Sequence, residues 1–295
     1  MIVTADGALR HVSDESDPEL FWGLRGAGAN FGVATAFEFR LHPIGPNVTT
    51  AVVVFPIDRA REAAALYREL SRSAPNHMHL GLNFATAPGG RAATGGQRGN
   101  ATVAVGAAHF GDAKDAERDL AALRGQIEPL TETVSSTTYL ALQGTSDQEM
   151  AWGKRFYMKG AFFDELSDAA VDRSAEQVMV APGECSIGLW AQGGATADVA
   201  EDTTAFTGRG AAHWVGVEVL WADKEQDRDH IAWGRAAMAA LKPFTALGNY
   251  VNDVVESGDD VVQAIYGPAK YERLRALKRT HDPDNVFRLN QNIRP

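Results

Sequence analysis

Hydrophobic and polar positions change their period several times along the 295 residues, and each change marks an element. Ile2-Val3-Thr4 reads as a strand, Ala5-Asp6-Gly7 as a tight turn, and Leu9 to Val12 as the returning strand. Asp17-Pro18 opens a short helix, with proline at the first helical position and Leu20, Phe21 and Leu24 on one face. A glycine-rich loop runs from Gly26 to Gly32. Val33 to Leu41 then alternates, with Phe37 and Phe39 opposite Glu38 and Arg40, which predicts a strand. Punctuation from Pro43 to Pro46 places a boundary there.

Beyond Thr49 the pattern predicts a strand over Thr50 to Phe55, then an alanine-rich helix capped by Asp58 and running to about Ser71. Strands are expected around Met78 to Ala85 and Ala101 to His109, joined by a Gly- and Arg-rich tip from Pro88 to Gly99. Gly111-Asp112 opens a helix through about Leu123. A comparable order recurs: a helix near Ser167 to Met179, strands at Cys185 to Gln192 and His213 to Trp221, and a helix from about Lys224 to Leu241. Strand-helix-strand-strand-helix with long hairpins predicts an α+β fold, an antiparallel sheet with helices on one face. The order repeats without a sequence repeat of fixed period. From Pro243 the chain holds a loop at Gly248 to Asn252, an acidic stretch through Asp260, and a helix begun by Pro268. Tyr271, Leu274 and Leu277 stripe that helix, and Asp282-Pro283 ends it.

Composition removes several function classes. Hydrophobic residues at 45% and charged residues at 22% are those of an ordinary folded protein. The net charge of −10 repels a phosphate backbone, so no nucleic-acid partner is expected. No apolar run approaches the roughly 20 residues that span a bilayer, so no membrane partner is expected either. The N-terminus has neither a basic nor an apolar leader region, which makes a cytoplasmic location the default. The single cysteine, Cys185, excludes an internal disulfide and reads as a small buried hydrophobe in a strand.

Candidate motifs separate on context. Gly26-Ala27-Gly28-Ala29-Asn30-Phe31-Gly32 fails as a dinucleotide fingerprint, because a helix precedes it, a strand follows it, and the last spacing is one residue too long. Its glycines still permit close backbone approach to a cofactor. His77-x-His79 places two imidazoles on one strand face but lacks a third ligand at fixed spacing, so no metal is expected. A Gly-x-Ser-x-Gly elbow and a phosphate loop are both missing from the sequence. The six tryptophans sit singly in apolar contexts and read as core.

The two ends carry more. Asp17-Pro18-Glu19-Leu20-Phe21-Trp22-Gly23-Leu24-Arg25-Gly26, continuing through Asn30-Phe31-Gly32-Val33-Ala34-Thr35 to Arg40-Leu41-His42-Pro43, resembles the end of the FAD-binding domain of berberine bridge enzyme-like oxidases. These belong to the vanillyl-alcohol oxidase (PCMH-type) flavoproteins. Tyr266-Gly267 through Arg273-Leu274, Lys278-Arg279 and Asp282-Pro283-Asp284-Asn285-Val286-Phe287-Arg288 to Asn290-Gln291-Asn292-Ile293 resembles the family's C-terminal signature. Tyr157-Met158-Lys159-Gly160, Gly193-Gly194-Ala195 and Thr204-Ala205-Phe206 are weaker matches in the same order.

The resemblance implies three parts. Residues 1–46 are the C-terminal remnant of a PCMH-type FAD-binding domain, 47–242 the α+β substrate domain, and 243–295 a segment returning to the first. It implies FAD as cofactor, with the covalent attachment residues not present in this chain, and a small-molecule substrate. The missing N-terminal half of the FAD-binding domain, or self-association, is the implied protein partner. Tyr250-Val251-Asn252 matches a Tyr-x-Asn motif at the reacting face of the flavin, which makes Tyr250 the catalytic candidate. An ordinary tyrosine has a pKa near ~10, so a tyrosinate base needs a neighbouring charge or hydrogen bond. Gly28, Asn30, Phe31, Gly32, Val33, Thr35, Asn252, Asn290, Gln291 and Asn292 are the cofactor-binding candidates. The expected function is hydride transfer from a substrate alcohol or amine carbon to flavin N5 with O2 as acceptor, incomplete in this chain alone. The alternative is a non-catalytic truncated remnant or small-molecule-binding domain. Without the missing half, Phe31, Val286 and Phe287 are expected to sit partly solvated.

Overall fold

A computed structural model describes residues 1–86, 101–125, 127–148, 150–254, 258–289 and 291–295. Seven strands build the main sheet: β4 (Asn47–Pro56), β5 (Met78–Thr86), β6 (Ala101–His109), β7 (Thr131–Thr138), β8 (Arg155–Phe163), β9 (Glu184–Ala191) and β10 (His213–Trp221). Their order is β7-β4-β6-β5-β9-β10-β8, and every neighbouring pair is antiparallel. Register aligns the β-branched and leucine positions in rows: Val53 opposes Val105, Val105 opposes Leu82, Leu82 opposes Leu189, and Leu189 opposes Val215. Because side chains alternate along a strand, these rows all point to one face.

That face is covered by helices α2 (Ala60–Ser73), α3 (Ala113–Leu120), α5 (Asp168–Met179) and α6 (Asp227–Leu241), and the space between is the main core. Each large side chain buried there is worth about 1.5–3 kcal/mol. Cys185 is buried in this core, and burial pushes its thiol up to about 12, so it is an unreactive hydrophobe. The opposite face carries Gly81, Gly106, Gly160, Gly188 and Gly216, together with Trp190 and Trp214. The α+β expectation, helices on one face of an antiparallel sheet, is what the molecule has.

A second, smaller core joins the two ends of the chain. Strands β1 (Ile2–Val3), β2 (Leu9–Arg10) and β3 (Val33–Ala34) form a small sheet, β2-β1-β3, ahead of and behind helix α1 (Pro18–Ala27). Leu20, Trp22 and Phe31 pack there with Tyr271, Leu274 and Leu277 of α7 (Asp259–His281) and with Ile293 of the tail. Helix α7 is broken at Gly267, where φ is +72°, and Pro268 begins its second segment. The predicted stripe on that segment is the buried one. The helix nevertheless starts upstream of the prediction, at Asp259, because the acidic stretch supplies a first turn that the N-terminal dipole favours.

Other expectations need correction. The strand predicted over Val33 to Leu41 has ladder pairs only at Val33 and Ala34, followed by bonds from the Thr35 amide to the Met1 carbonyl and from the Met1 ammonium to the Ala36 carbonyl. Alternation declares strand propensity, but a ladder needs a neighbouring strand, and from Phe37 to Leu41 no backbone partner is found among the described residues. Phe37 and Phe39 stack on each other at 5.7 Å and remain 72% and 76% exposed. Asp58 lies inside a 3-10 turn (Ile57–Arg59), and α2 has no side-chain cap. Asp17, Asp112 and Ser167 do cap their helices. Phe31 is wholly buried, not half-solvated, because α7 lies across it. Strands β7 and β8 were not foreseen: β7 is a Thr- and Ser-rich edge strand with polar residues on both faces, so it has no period-two signal. A short helix α4 (Tyr139–Gln143) follows β7. The predicted tip from Pro88 to Gly99 lies outside the described residues. Among the described residues no helix is long and apolar enough to cross a membrane.

Candidate active site

Beside the second core a cavity of about 880 Å³ opens. It lies at the upper end of the range typical for small-molecule and cofactor sites. Its walls include the last turn of α1 (Leu24 to Ala27), the loop presenting Phe206 and Arg209, the turn at Tyr250 to Asn252, Tyr266, and Gln291 of the tail.

The Phe206 loop is placed by three independent devices. Gly26 has φ of +150°, and a Cβ there would stand 2.2 Å from the amide nitrogen of Phe206, so only glycine admits the loop. The amides of Ala205 and Phe206 then donate to the carbonyls of Trp22 (3.1 Å) and Arg25 (3.0 Å). Finally Lys270, 8% exposed, donates its ammonium protons to the Glu201 carbonyl (2.6 Å), the Glu201 carboxylate (2.8 Å) and the Phe206 carbonyl (2.5 Å). The same carboxylate accepts from the amides of Gly208 and Arg209. The loop is thus wrapped around one buried cation. Arg209 lies over the Phe206 ring at 5.1 Å and donates to Thr204, while its buried Nε has no partner.

Tyr250 lines the cavity next to Phe206. Asn249 donates its side-chain amide to the Gly160 carbonyl on β8 (2.9 Å), and a 3-10 turn, Val251–Asp253, follows. Within this turn Asn252 Nδ2 donates to the Tyr250 hydroxyl oxygen at 2.7 Å. This bond fixes the position of the phenol oxygen. The Tyr250 ring stands 6.1 Å from Phe206. Asp253, 5% exposed, accepts from the Trp214 indole N–H at 2.7 Å, and burial pushes its carboxyl up to about 6 while that bond pulls it down.

The structure brings Tyr250, Gly28, Asn30, Asn252 and Gln291 to this cavity, and does not bring Phe31, Gly32, Val33 or Thr35 to it. Phe31 fills the second core, Gly32 packs against Val3 and Ile2, Val33 is exposed on β3, and the Thr35 amide donates to the Met1 carbonyl. Asn30 is buried and its side chain is committed to the tail: Nδ2 donates to the Gln291 carbonyl (3.2 Å) and Oδ1 accepts from the Ile293 amide (2.8 Å). Gln291 donates to the Val254 carbonyl. The Asn292 side-chain oxygen is buried without a partner, and Asn290 lies outside the described residues. Arg25, Gln192, Arg209 and Tyr266 line the cavity without having been singled out. The weak match at Thr204 to Phe206 was the only sequence signal near Arg209.

A second polar cluster has a different character. His77, His109 and Asp119 bring their ligand atoms within 4.8 Å of one another. His79, the partner expected for His77, is not among them. The Gly111 amide donates to His109 Nδ1 (3.2 Å), which leaves the ring proton on Nε2, facing Asp119 at 3.1 Å. A cation on Nε2 would force that proton onto Nδ1, against the Gly111 N–H. The donor set is therefore arranged for a hydrogen-bonded pair, and Arg118 and His109 together hold the Asp119 carboxyl down to about 2.

The cavity is thus closed by both chain ends, and an amide and an aromatic ring converge on a tyrosine beside it. The family model described as berberine and berberine like matches residues 248–294. An FAD-linked oxidoreductase of Dictyostelium discoideum is 27% identical over all of this chain and 62% of its own length. (R)-6-hydroxynicotine oxidase of Paenarthrobacter nicotinovorans is 27% identical over all of this chain and 64% of its own. A solved berberine bridge enzyme variant shares the fold with a TM-score of 0.82 at 21% identity, over 100% of this chain and 64% of that one. The chain is thus similar to berberine bridge enzyme-like FAD-linked oxidoreductases in sequence, and to berberine bridge enzyme in fold. It spans less than two thirds of the length of these relatives.

Proposed function

We propose that this chain forms the substrate-facing part of an FAD-dependent oxidoreductase, in which a substrate alcohol or amine gives up a hydride to flavin N5 with O2 as final acceptor. The observation that carries the reading is the Asn252–Tyr250 hydrogen bond beside a cavity that Arg209 also lines. The residues present fit a flavin ring. Phe206 and Tyr250 give flat apolar walls, and the unpartnered Arg209 Nε and the amides of Asn252 and Gln291 offer groups for its polar edge. Gly28 supplies wall without side-chain bulk. The flavin, when bound, supplies the hydride acceptor.

The chain's own residues do the rest. Tyr250 Oη holds or takes the substrate proton, Asn252 fixes the phenol's orientation, and the Phe206 loop keeps water from one side of the cavity. The division at residues 46 and 242 belongs to the same reading. Exposed Phe37 and Phe39 support association with a further polypeptide segment or a second copy. A second reading, small-molecule binding without oxidation, has Asn30 in its favour, since that side chain is spent on the tail.

Tyr250→Phe separates the two. In FAD-loaded protein screened anaerobically against secondary alcohols and amines, the variant should bleach the flavin roughly 10²-fold or more slowly than the parent, with FAD affinity unchanged. Equal bleaching rates, or no bleaching of the parent by any substrate class, would remove the catalytic assignment.

A further inference from the structure

After Ala36 the chain leaves the small sheet as an uncovered arm. Every residue from 33 to 47 is exposed, and Leu41, at 87%, is more so than Phe37 or Phe39. The Phe37 and Phe39 rings stack with their planes 13° apart, so these alternate residues share one side of the arm, as they would in a strand. Backbone groups from Phe37 to Leu41 have no partner among the described residues, and neither Glu38 nor Arg40 has an ion-pair partner there. Free ladder groups beside apolar side chains are a template for another strand.

The arm is complementary to itself when its direction is reversed. Ala36-Phe37-Glu38-Phe39-Arg40-Leu41-His42 can be laid antiparallel on a second copy with Phe39 opposite Phe39. Phe37 then faces Leu41, and Glu38 faces Arg40, each pair occurring twice. Because side chains alternate, the apolar pairs fall on one face of the ladder and both ion pairs on the other. Opposite charges directly across a strand pair stabilise it, and like charges there destabilise it. A slide of two residues sets Glu38 against Glu38 or Arg40 against Arg40. A slide of one sets Phe39 against a charge. One register therefore satisfies every pair, and it has the two-fold symmetry of an isologous contact.

We propose that a second copy of this chain covers the arm, two molecules pairing residues 36–42 as antiparallel strands about a two-fold axis at Phe39. Pro43, which has no N–H, ends the ladder beyond His42. One short ladder buries less than the roughly 1,200 Å² of a standard interface, so the dimer is reversible, with dissociation in the micromolar range.

Sedimentation velocity of the 295-residue chain, from low micromolar to submillimolar concentration, should show a monomer–dimer equilibrium. Glu38→Arg and Arg40→Glu each set like charges face to face and should each weaken the dimer roughly tenfold. An equimolar mixture of these two variants restores opposite charges across the ladder, so a mixed dimer should form with the parent's affinity. The substituted side chains are exposed, so both variants should melt with the parent. Mild oxidation should cross-link Phe39→Cys to its own copy and spare Leu41→Cys, whose copy lies about 13 Å away in this register. Cys185 is buried and stays out of the reaction. A parent that sediments as a monomer throughout would overturn the proposal and leave the arm to a different polypeptide segment. Single variants that dimerise like the parent, a mixture no better than either variant, or equal cross-linking at both cysteine positions would each overturn it too. The pairing needs no flavin, so its failure leaves the FAD reading standing.

Discussion

At the scale of single residues, the decisive groups are polar side chains whose partners lie far away in sequence. Asp253 makes a pH dependence predictable. Its carboxyl titrates at about 6 in the folded chain against an ordinary 3.8, so the folded state holds the proton more tightly than the unfolded state does. Its contribution to stability is therefore fully present below about 3.8 and lost as pH rises through about 6. The difference of about two pKa units corresponds to roughly 3 kcal/mol between the two limits. Thermal melts at pH 5 and pH 8 should show the parent losing more stability between them than Asp253→Asn does. Parallel losses would show that this carboxyl is not buried in the ionised form. Tyr250 and Asn252 were legible in the sequence as a Tyr-x-Asn match. Arg209 and Asp253 were not, because what singles them out is an unpartnered Nε in one case and an indole neighbour 39 residues away in the other.

At the scale of elements, the second core is pinned by one lysine. Lys278 is fully buried on α7 and donates to the Asn30 carbonyl (2.8 Å), the Asp282 carboxylate (2.7 Å) and the Phe287 carbonyl (2.7 Å). Burial pushes the Asp282 carboxyl up, but Lys278 and the amides of Phe287 and Val286 more than offset it and hold it below its usual value. Lys278→Met should cost about 3–5 kcal/mol, because it leaves Asp282 buried without its cation. Urea unfolding checks this, and a cost under about 1 kcal/mol, the worth of an exposed pair, would mean that the tail is not held this way. The elements with strong periods were readable from sequence: β4 to β6, β9, β10, and the Tyr271, Leu274, Leu277 stripe. Edge strand β7 was not, since Thr133 to Thr138 alternates nothing. The arm after Ala34 failed in the opposite sense: its alternation is clear, but strand formation depends on a ladder partner, which no local pattern encodes.

At the scale of the whole molecule, the chain brings its two ends together in a second core beside a seven-stranded sheet, and the candidate site is lined by α1, the Phe206 loop, the Tyr250 turn and the tail. Sequence located both ends through their motifs, yet not the cavity, whose walls come from six separated segments. The central claim is that this cavity receives the flavin ring. Equilibrium titration of FAD with the purified chain, followed by flavin emission and visible absorption, tests it most directly. Stacking near Phe206 and Tyr250 predicts saturable quenching with a shifted visible band, weakened at least tenfold in Arg209→Met, whose variant should melt normally. NAD should neither compete nor raise the melting temperature. FAD emission that stays unchanged as the chain is added, or quenching that Arg209→Met leaves intact, would contradict the account.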